Sequence, residues 1–172
     1  VADWATFSIS APALADAVRD LFHQYGPGLG YLATVRPDGG PRVHPVSPVV
    51  ADHGLYCFVV RSPKRGDLDR DGRYALHAFP AEDSDDEAYL AGRARPVLDP
   101  ERQRVVAAAH RAAPRVDWRL YEFTVEVAMV SRFSHRNAWP PRRLVWRDPL
   151  SRLADDMDDM DVPAALEGVA GT

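Results

Sequence analysis

Lysine is almost missing from this chain: of 21 basic residues one, Lys64, is a lysine and the others are arginines. Cysteine is as scarce. Cys57 stands alone, which excludes an internal disulfide and fits a reducing, cytoplasmic setting. Long apolar runs are lacking, with none near the roughly 20 residues that cross a bilayer as a helix, so no membrane is expected among the partners. The opening Val1-Ala2-Asp3-Trp4 has no charged-then-apolar pattern, and no signal peptide is expected there. Positive charge is not in excess either. The formal net charge of −4 excludes a general polyanion binder and leaves nucleic acid out of the expected partners. Histidine, cysteine and carboxylate residues nowhere recur at metal-site spacing, so no metal is expected. There is no Gly-x-Ser-x-Gly elbow and no Walker-type loop. Gly28-Leu29-Gly30 precedes a strand pattern, the wrong context for a dinucleotide fingerprint.

What is present describes an ordinary globular domain: 172 residues, 46% apolar and 27% charged, enough for one sizeable core. Ser10 is placed to cap a helix with Pro12 in its first turn and Leu14, Val18, Leu21, Phe22 and Tyr25 on one face, ended by Gly26-Pro27-Gly28. Leu29, Tyr31, Ala33 and Val35 then alternate as the apolar side of a half-buried strand. Pro37-Asp38-Gly39-Gly40 marks a hairpin turn. A second strand runs from about Arg42 to Val50, but Pro45 and Pro48 each remove a ladder donor and push it toward an edge or a bulge. Ala51-Asp52-His53-Gly54 turns the chain into a third strand, Leu55 to Val60, where Cys57 reads as a packed thiol.

A short helix is expected from Arg65 to Asp71, then strands over Tyr74 to Phe79 and Tyr89 to Val97 on either side of an acidic loop. Gly92, inside the second of these, signals a bulge or the close approach of a ligand. Asp99-Pro100-Glu101 starts another helix, with Val105, Val106 and Ala109 as its apolar side. Tyr121, Phe123, Val125, Val127, Met129 and Phe133 give the longest strand signal, and Arg143 to Arg147 a last short one. His44 alternates with Arg42 and Val46 on one strand face. His77 reads as a satisfied residue, and His23, His53 and His110 as lacking partners. The fold class is therefore mainly β (α+β): a barrel of six or seven antiparallel strands with flanking helices. One domain is expected over residues 1–150, with an acidic tail over 151–172 that includes the stretch from Asp155 to Asp161.

The run Arg61-Ser62-Pro63-Lys64-Arg65 follows the third strand directly. Lysine is a flexible point charge and arginine a planar fork, so the run suits a phosphate or other small anion; a solvated basic turn fits it equally.

The stretch Leu29-Gly30-Tyr31-Leu32-Ala33-Thr34-Val35-Arg36-Pro37-Asp38-Gly39-Gly40-Pro41-Arg42-Val43-His44-Pro45-Val46 resembles the opening hairpin of the pyridoxamine phosphate oxidase-like, FMN-binding split-barrel family. Leu55-Tyr56-Cys57-Phe58, Ser62-Pro63-Lys64-Arg65-Gly66-Asp67-Leu68, Asp71 to Leu76 and Gly92 to Val97 follow in the order of that family's pattern. The resemblance implies a split β-barrel homodimer with a flavin at the subunit interface and a small organic substrate. By position it implies that Arg42, Val43, His44, Pro45, Val46 and Ser47 lie along the flavin ring. Cys57 and Phe58 match third-strand contacts, and Ser62, Lys64 and Arg65 the phosphate grip. Glu87 falls where a ring-contacting glutamine often sits. The segment from Phe133 to Trp146 lacks the spacing of the substrate signature of true pyridoxamine phosphate oxidases. Trp139 and Arg143 there either reach the cofactor across a dimer or serve as packing and solvated residues. The implied function is an FMN-dependent oxidoreductase. Alternatives are a deazaflavin-dependent reductase on the same fold, whose polyanionic cofactor tail an arginine groove of Arg42, Arg61 and Arg65 would suit, and a non-catalytic flavin- or haem-binding protein.

Overall fold

The computed structural model describes residues 1–110 and 116–151; the acidic stretch from Asp155 to Asp161 lies outside the described residues. Strands β1 (Gly30–Val35), β2 (Pro41–Val46), β3 (Pro48–Ala51), β4 (Gly54–Val60), β5 (Arg73–Ala78), β6 (Glu87–Pro96), β7 (Trp118–Phe123), β8 (Val127–Arg132) and β9 (Arg142–Arg147) make one antiparallel sheet. Helices α1 (Trp4–Ser10), α2 (Pro12–His23), α3 (Pro63–Arg70) and α4 (Pro100–His110) flank it. A path of seven strands runs β2-β1-β5-β6-β7-β4-β3, with β8 branching from β6 and β9 from β8.

Prolines decide how this sheet closes. The stretch read as one strand from Arg42 to Val50 is divided at Ser47, so β2 pairs β1 and β3 pairs β4. The two pieces are the two ends of the path, joined by a single residue. The sheet therefore curls until its ends meet through the chain itself, not through a hydrogen-bonded ladder, and the fold is a split barrel. The β3–β4 hairpin turns on Asp52 and His53, both at positive φ (45° and 60°), as the two-residue turn between Ala51 and Gly54 requires.

A second hand-over occurs on β6. Its first half pairs β8 and its last residues pair β7, so the chain between β7 and β8 crosses over Gly92. A Cβ on Gly92 would sit 2.2 Å from the Thr124 carbonyl oxygen. The close approach at this glycine is made by the protein's own backbone, not by the ligand the sequence suggested. What read as one long strand from Tyr121 to Phe133 is thus two strands, and the buried face changes phase between them: Tyr121, Phe123, Val125 and Val127 are buried, then Ala128 and Val130.

The concave side holds the main core. Leu32, Leu76, Leu90, Ala128 and Val130 pack there against Val18 and Phe22 of α2 and Trp4 and Phe7 of α1. Each fully buried aliphatic side chain contributes about 1.5–3 kcal/mol. Three sequence expectations shift. Ser10 ends α1, donating to the Phe7 carbonyl, and does not cap α2, which follows Ala11 without a side-chain cap. The phase of β1 is inverted: Gly30, Leu32 and Thr34 face inward, while Tyr31 and Val43 on β2 face out. Gly30 sets that phase, because the Phe22 ring occupies the place of its missing side chain. On α4 only Val106 is buried, since the helix meets one small cluster of Val49, Tyr56, Val97 and Leu120. None of the described helices is long and apolar enough to cross a membrane.

Replacing Gly92 by alanine forces the crossing apart and should destabilise the protein by about 2–3 kcal/mol. Gly66 lies inside α3 with open space around it, and its replacement by alanine should stabilise by roughly 0.5–1 kcal/mol. Urea denaturation of both variants checks the pair; similar shifts in the same direction would contradict the crossing.

Candidate functional site

The basic run forms the passage from β4 into α3. Ser62 has the extended backbone of an N-cap, but its hydroxyl donates to the Val60 carbonyl at 2.9 Å and caps nothing. Pro63 takes the first turn without an N–H. The first-turn amides of α3 are therefore uncapped by any side chain, at the end of the helix that favours negative charge. Lys64 is half-buried beside them and makes no ion pair with a described carboxylate, whereas Arg65 is held by Asp117 at 3.0 Å. Cys57 lies close by. Burial pushes its thiol up to about 12 and the Lys64 cation pulls the other way, while its Sγ lies 3.5 Å from the Ser47 carbonyl. The turn thus sits against the break between β2 and β3.

Arg42 faces inward and is already engaged. Its Nε donates to Asp67 at 2.7 Å, and the same carboxylate oxygen accepts from Thr34 Oγ1 at 3.0 Å. Arg70 approaches the other oxygen at 3.4 Å. Burial alone would raise the Asp67 carboxyl, but these donors hold it below the usual carboxylate value. His44 and Val46 share the inward face with Arg42, opposite Leu32 and Gly30, while Val43 and Pro45 lie on the outer face. Cys57 and Phe58 point to opposite sides of β4. Phe58 stacks on His110 at 5.3 Å and meets Trp118 edge-on, so its ring belongs to the cluster under α4.

Trp139 and Arg143 lie elsewhere. Trp139 lines a cavity of about 540 Å³ together with His77 and Glu87. His77 pairs with Tyr31 at the start of β1, while Arg70 bonds the Val35 carbonyl at its end. Four residues of strand, about 14 Å, separate the two regions within one chain. Arg143 pairs with Ser131, in the row that continues to Glu87. The structure thus brings together Ser47, Cys57, Ser62, Lys64 and Arg65, and within one subunit leaves Trp139, Arg143 and the Phe58 ring apart from them. Reading the sequence missed the Thr34–Asp67–Arg42 knot. Its one local sign was Asp67 three residues before Arg70 on a short helix.

No family model matches the sequence, and no curated protein matches it. Solved structures do. A heme binding protein from Mycobacterium smegmatis shares 20% identity with a TM-score of 0.55 over 76% of this chain, which spans 57% of that protein. A NimC/NimA family protein from Clostridium acetobutylicum shares 14% identity with a TM-score of 0.56, covering 78% of this chain and 93% of its own. A protein of the pyridoxinephosphate oxidase family from the same organism, related to general stress protein 26, shares 12% identity with a TM-score of 0.54, covering 83% and 95%. The fold resemblance drawn from the hairpin and basic turn is supported by these structures.

Because Asp67 is 3% exposed, removing its main counter-charge should be felt as lost stability. Arg42→Ala should destabilise the protein by roughly 3 kcal/mol at neutral pH. The folded-state value of Asp67 is depressed, so its contribution is present above about pH 4, the unfolded value, and is lost as pH falls through the folded one. The gap between wild type and variant should therefore close on acidification, as denaturation at stepped pH will show. A gap unchanged at low pH would contradict the knot.

Proposed function

We propose that this chain is an FMN-dependent oxidoreductase acting on a small organic substrate as a homodimer. One observation carries the reading: the chain's only lysine, unpaired among the described residues, stands at a helix N-terminus whose N-cap hydroxyl is turned away. A phosphate monoester supplies the missing anion and acceptors. Lys64 and the first-turn amides of α3 would hold the phosphate, with Ser62 and Arg61 beside them. β2 is an edge strand, so the outward backbone groups of the segment from Arg42 to Ser47 are available to the polar edge of a flavin ring. FMN, when bound, supplies hydride transfer; the protein's share is to position the ring and keep water from it. Among the described residues none is named catalytic.

Two arginines of the groove that would suit a polyanionic deazaflavin tail, Arg42 and Arg65, are spent on Asp67 and Asp117, which favours FMN over that cofactor. The outer face supports a dimer. Val43 is 59% exposed and Val145 42%, with Tyr31 between them across the sheet, an apolar face that α4 does not reach.

Protein purified without added ligand should be yellow, with flavin absorption bands. A Soret band instead would assign haem, the group bound by the mycobacterial heme binding protein of similar fold. Lys64→Ala should weaken FMN by about 1.5–3 kcal/mol, the worth of one charge-assisted bond, and unchanged affinity would remove the assignment. Val43→Glu should shift the protein to monomer in sedimentation; a dimer as stable as wild type would place the interface on another face.

A further inference from the structure

Asp117 sits on the basic turn itself. β7 begins at Trp118, paired with Val60 at the end of β4, so Asp117 lies across from Arg61. Its carbonyl accepts the Arg61 N–H at 3.1 Å, and its carboxylate accepts from Arg65 Nη1 at 3.0 Å. The bond from Arg65 holds the Asp117 carboxyl below the usual carboxylate value, and the charges of Arg65, Arg61 and Arg119 add to the effect. A negative charge of the chain's own thus stands beside the cation that follows Lys64 in the first turn of α3.

The hold on Arg65 is loose where the hold on Arg42 is tight. Asp67 is 3% exposed and faces three donors, Arg42, Thr34 and Arg70, so withdrawing Arg42 would strand a buried charge. Asp117 is 63% exposed and meets a single guanidinium nitrogen, so water replaces that contact at little cost. The Arg65 main chain, in contrast, is fixed. Its N–H donates to the Ser62 carbonyl at 3.0 Å, and the Tyr121 hydroxyl lies 3.4 Å from its carbonyl. Only the far end of the side chain has to move for Arg65 to change partners. A phosphate dianion carries more charge than a carboxylate and accepts a guanidinium fork at two oxygens, which makes it the stronger partner.

We propose that Asp117 is an intramolecular competitor for the cofactor phosphate. It holds Arg65 in the flavin-free protein and releases it when FMN binds, so the strength of this ion pair sets how tightly FMN is kept. The inference concerns regulation of the site described above and rests on the FMN reading. Arg42 has no such freedom. One fork is therefore released, enough for a phosphate monoester and too few for a polyanionic tail.

Titration of flavin-free protein with FMN and with riboflavin tests it. The ratio of the two affinities is read within each variant, so any change in stability cancels. Asp117→Asn should tighten FMN about fivefold and leave riboflavin unchanged. Asp117→Glu, which keeps the charge, should bind FMN as wild type does. In an Arg65→Ala background, Asp117→Asn should no longer change FMN affinity. Weaker FMN binding in Asp117→Asn would make the carboxylate a support for Arg65 and overturn the proposal, and so would unchanged binding. A gain that persists without Arg65 would reduce Asp117 to a repelling charge and overturn the exchange. Each of these failures leaves the FMN reading standing as long as wild type prefers FMN to riboflavin. Wild type that binds both flavins alike overturns that reading and the competition with it.

Discussion

The break at Ser47 is the constraint from which the rest of this molecule follows. One extended segment supplies both terminal strands of the seven-strand path, and a single residue separates them. Pro45 and Pro48 lack the N–H groups that a continuous ladder would need, so the segment cannot serve as an interior strand. It closes the barrel covalently and leaves a seam. Along that seam lie the backbone of β2, open on its outer edge, the buried Cys57 with its sulfur on the Ser47 carbonyl, and the basic turn that leads into α3.

Charge is arranged around the seam so that most cations are already committed. Arg42 and Arg70 serve Asp67, Arg65 serves Asp117, and Arg119 serves Asp69 at 2.6 Å. These planar forks suit fixed carboxylates. Tyr121 joins the same lattice by donating to Asp69; burial and that bond push its hydroxyl up to about 12. Lys64 stands outside the lattice. A flexible ammonium kept apart from the described carboxylates, beside an uncapped helix start, is the feature on which the proposed phosphate grip rests.

Much of the fold was legible in local pattern. Turn chemistry at Pro37 to Gly40 and Ala51 to Gly54 set the hairpins, and the two prolines announced an edge. Gly92 announced a close approach, although periodicity could not say that Thr124 was the visitor. The misread strand phases have one cause: burial is decided by what packs against a strand. Tyr31, Ala33 and Val35 look like the apolar side of β1, yet Phe22 against Gly30 turns Leu32 inward. α1 carried no clear period, and its place depends on Trp4 and Phe7 reaching a core built by residues far along the chain. For the site, the ordered turn was legible from Ser62, Lys64 and Arg65. The engagement of Arg42 by Asp67 was not, because a pairing across 25 residues leaves no sequence signal.

The account stands on an anionic group being gripped at Lys64 and the start of α3. FMN and riboflavin carry the same ring and differ by one phosphate, so titrating flavin-free protein with each isolates that grip. The account predicts FMN binding at least about tenfold tighter, with the advantage shrinking as salt is raised. Equal affinities at low salt would contradict it.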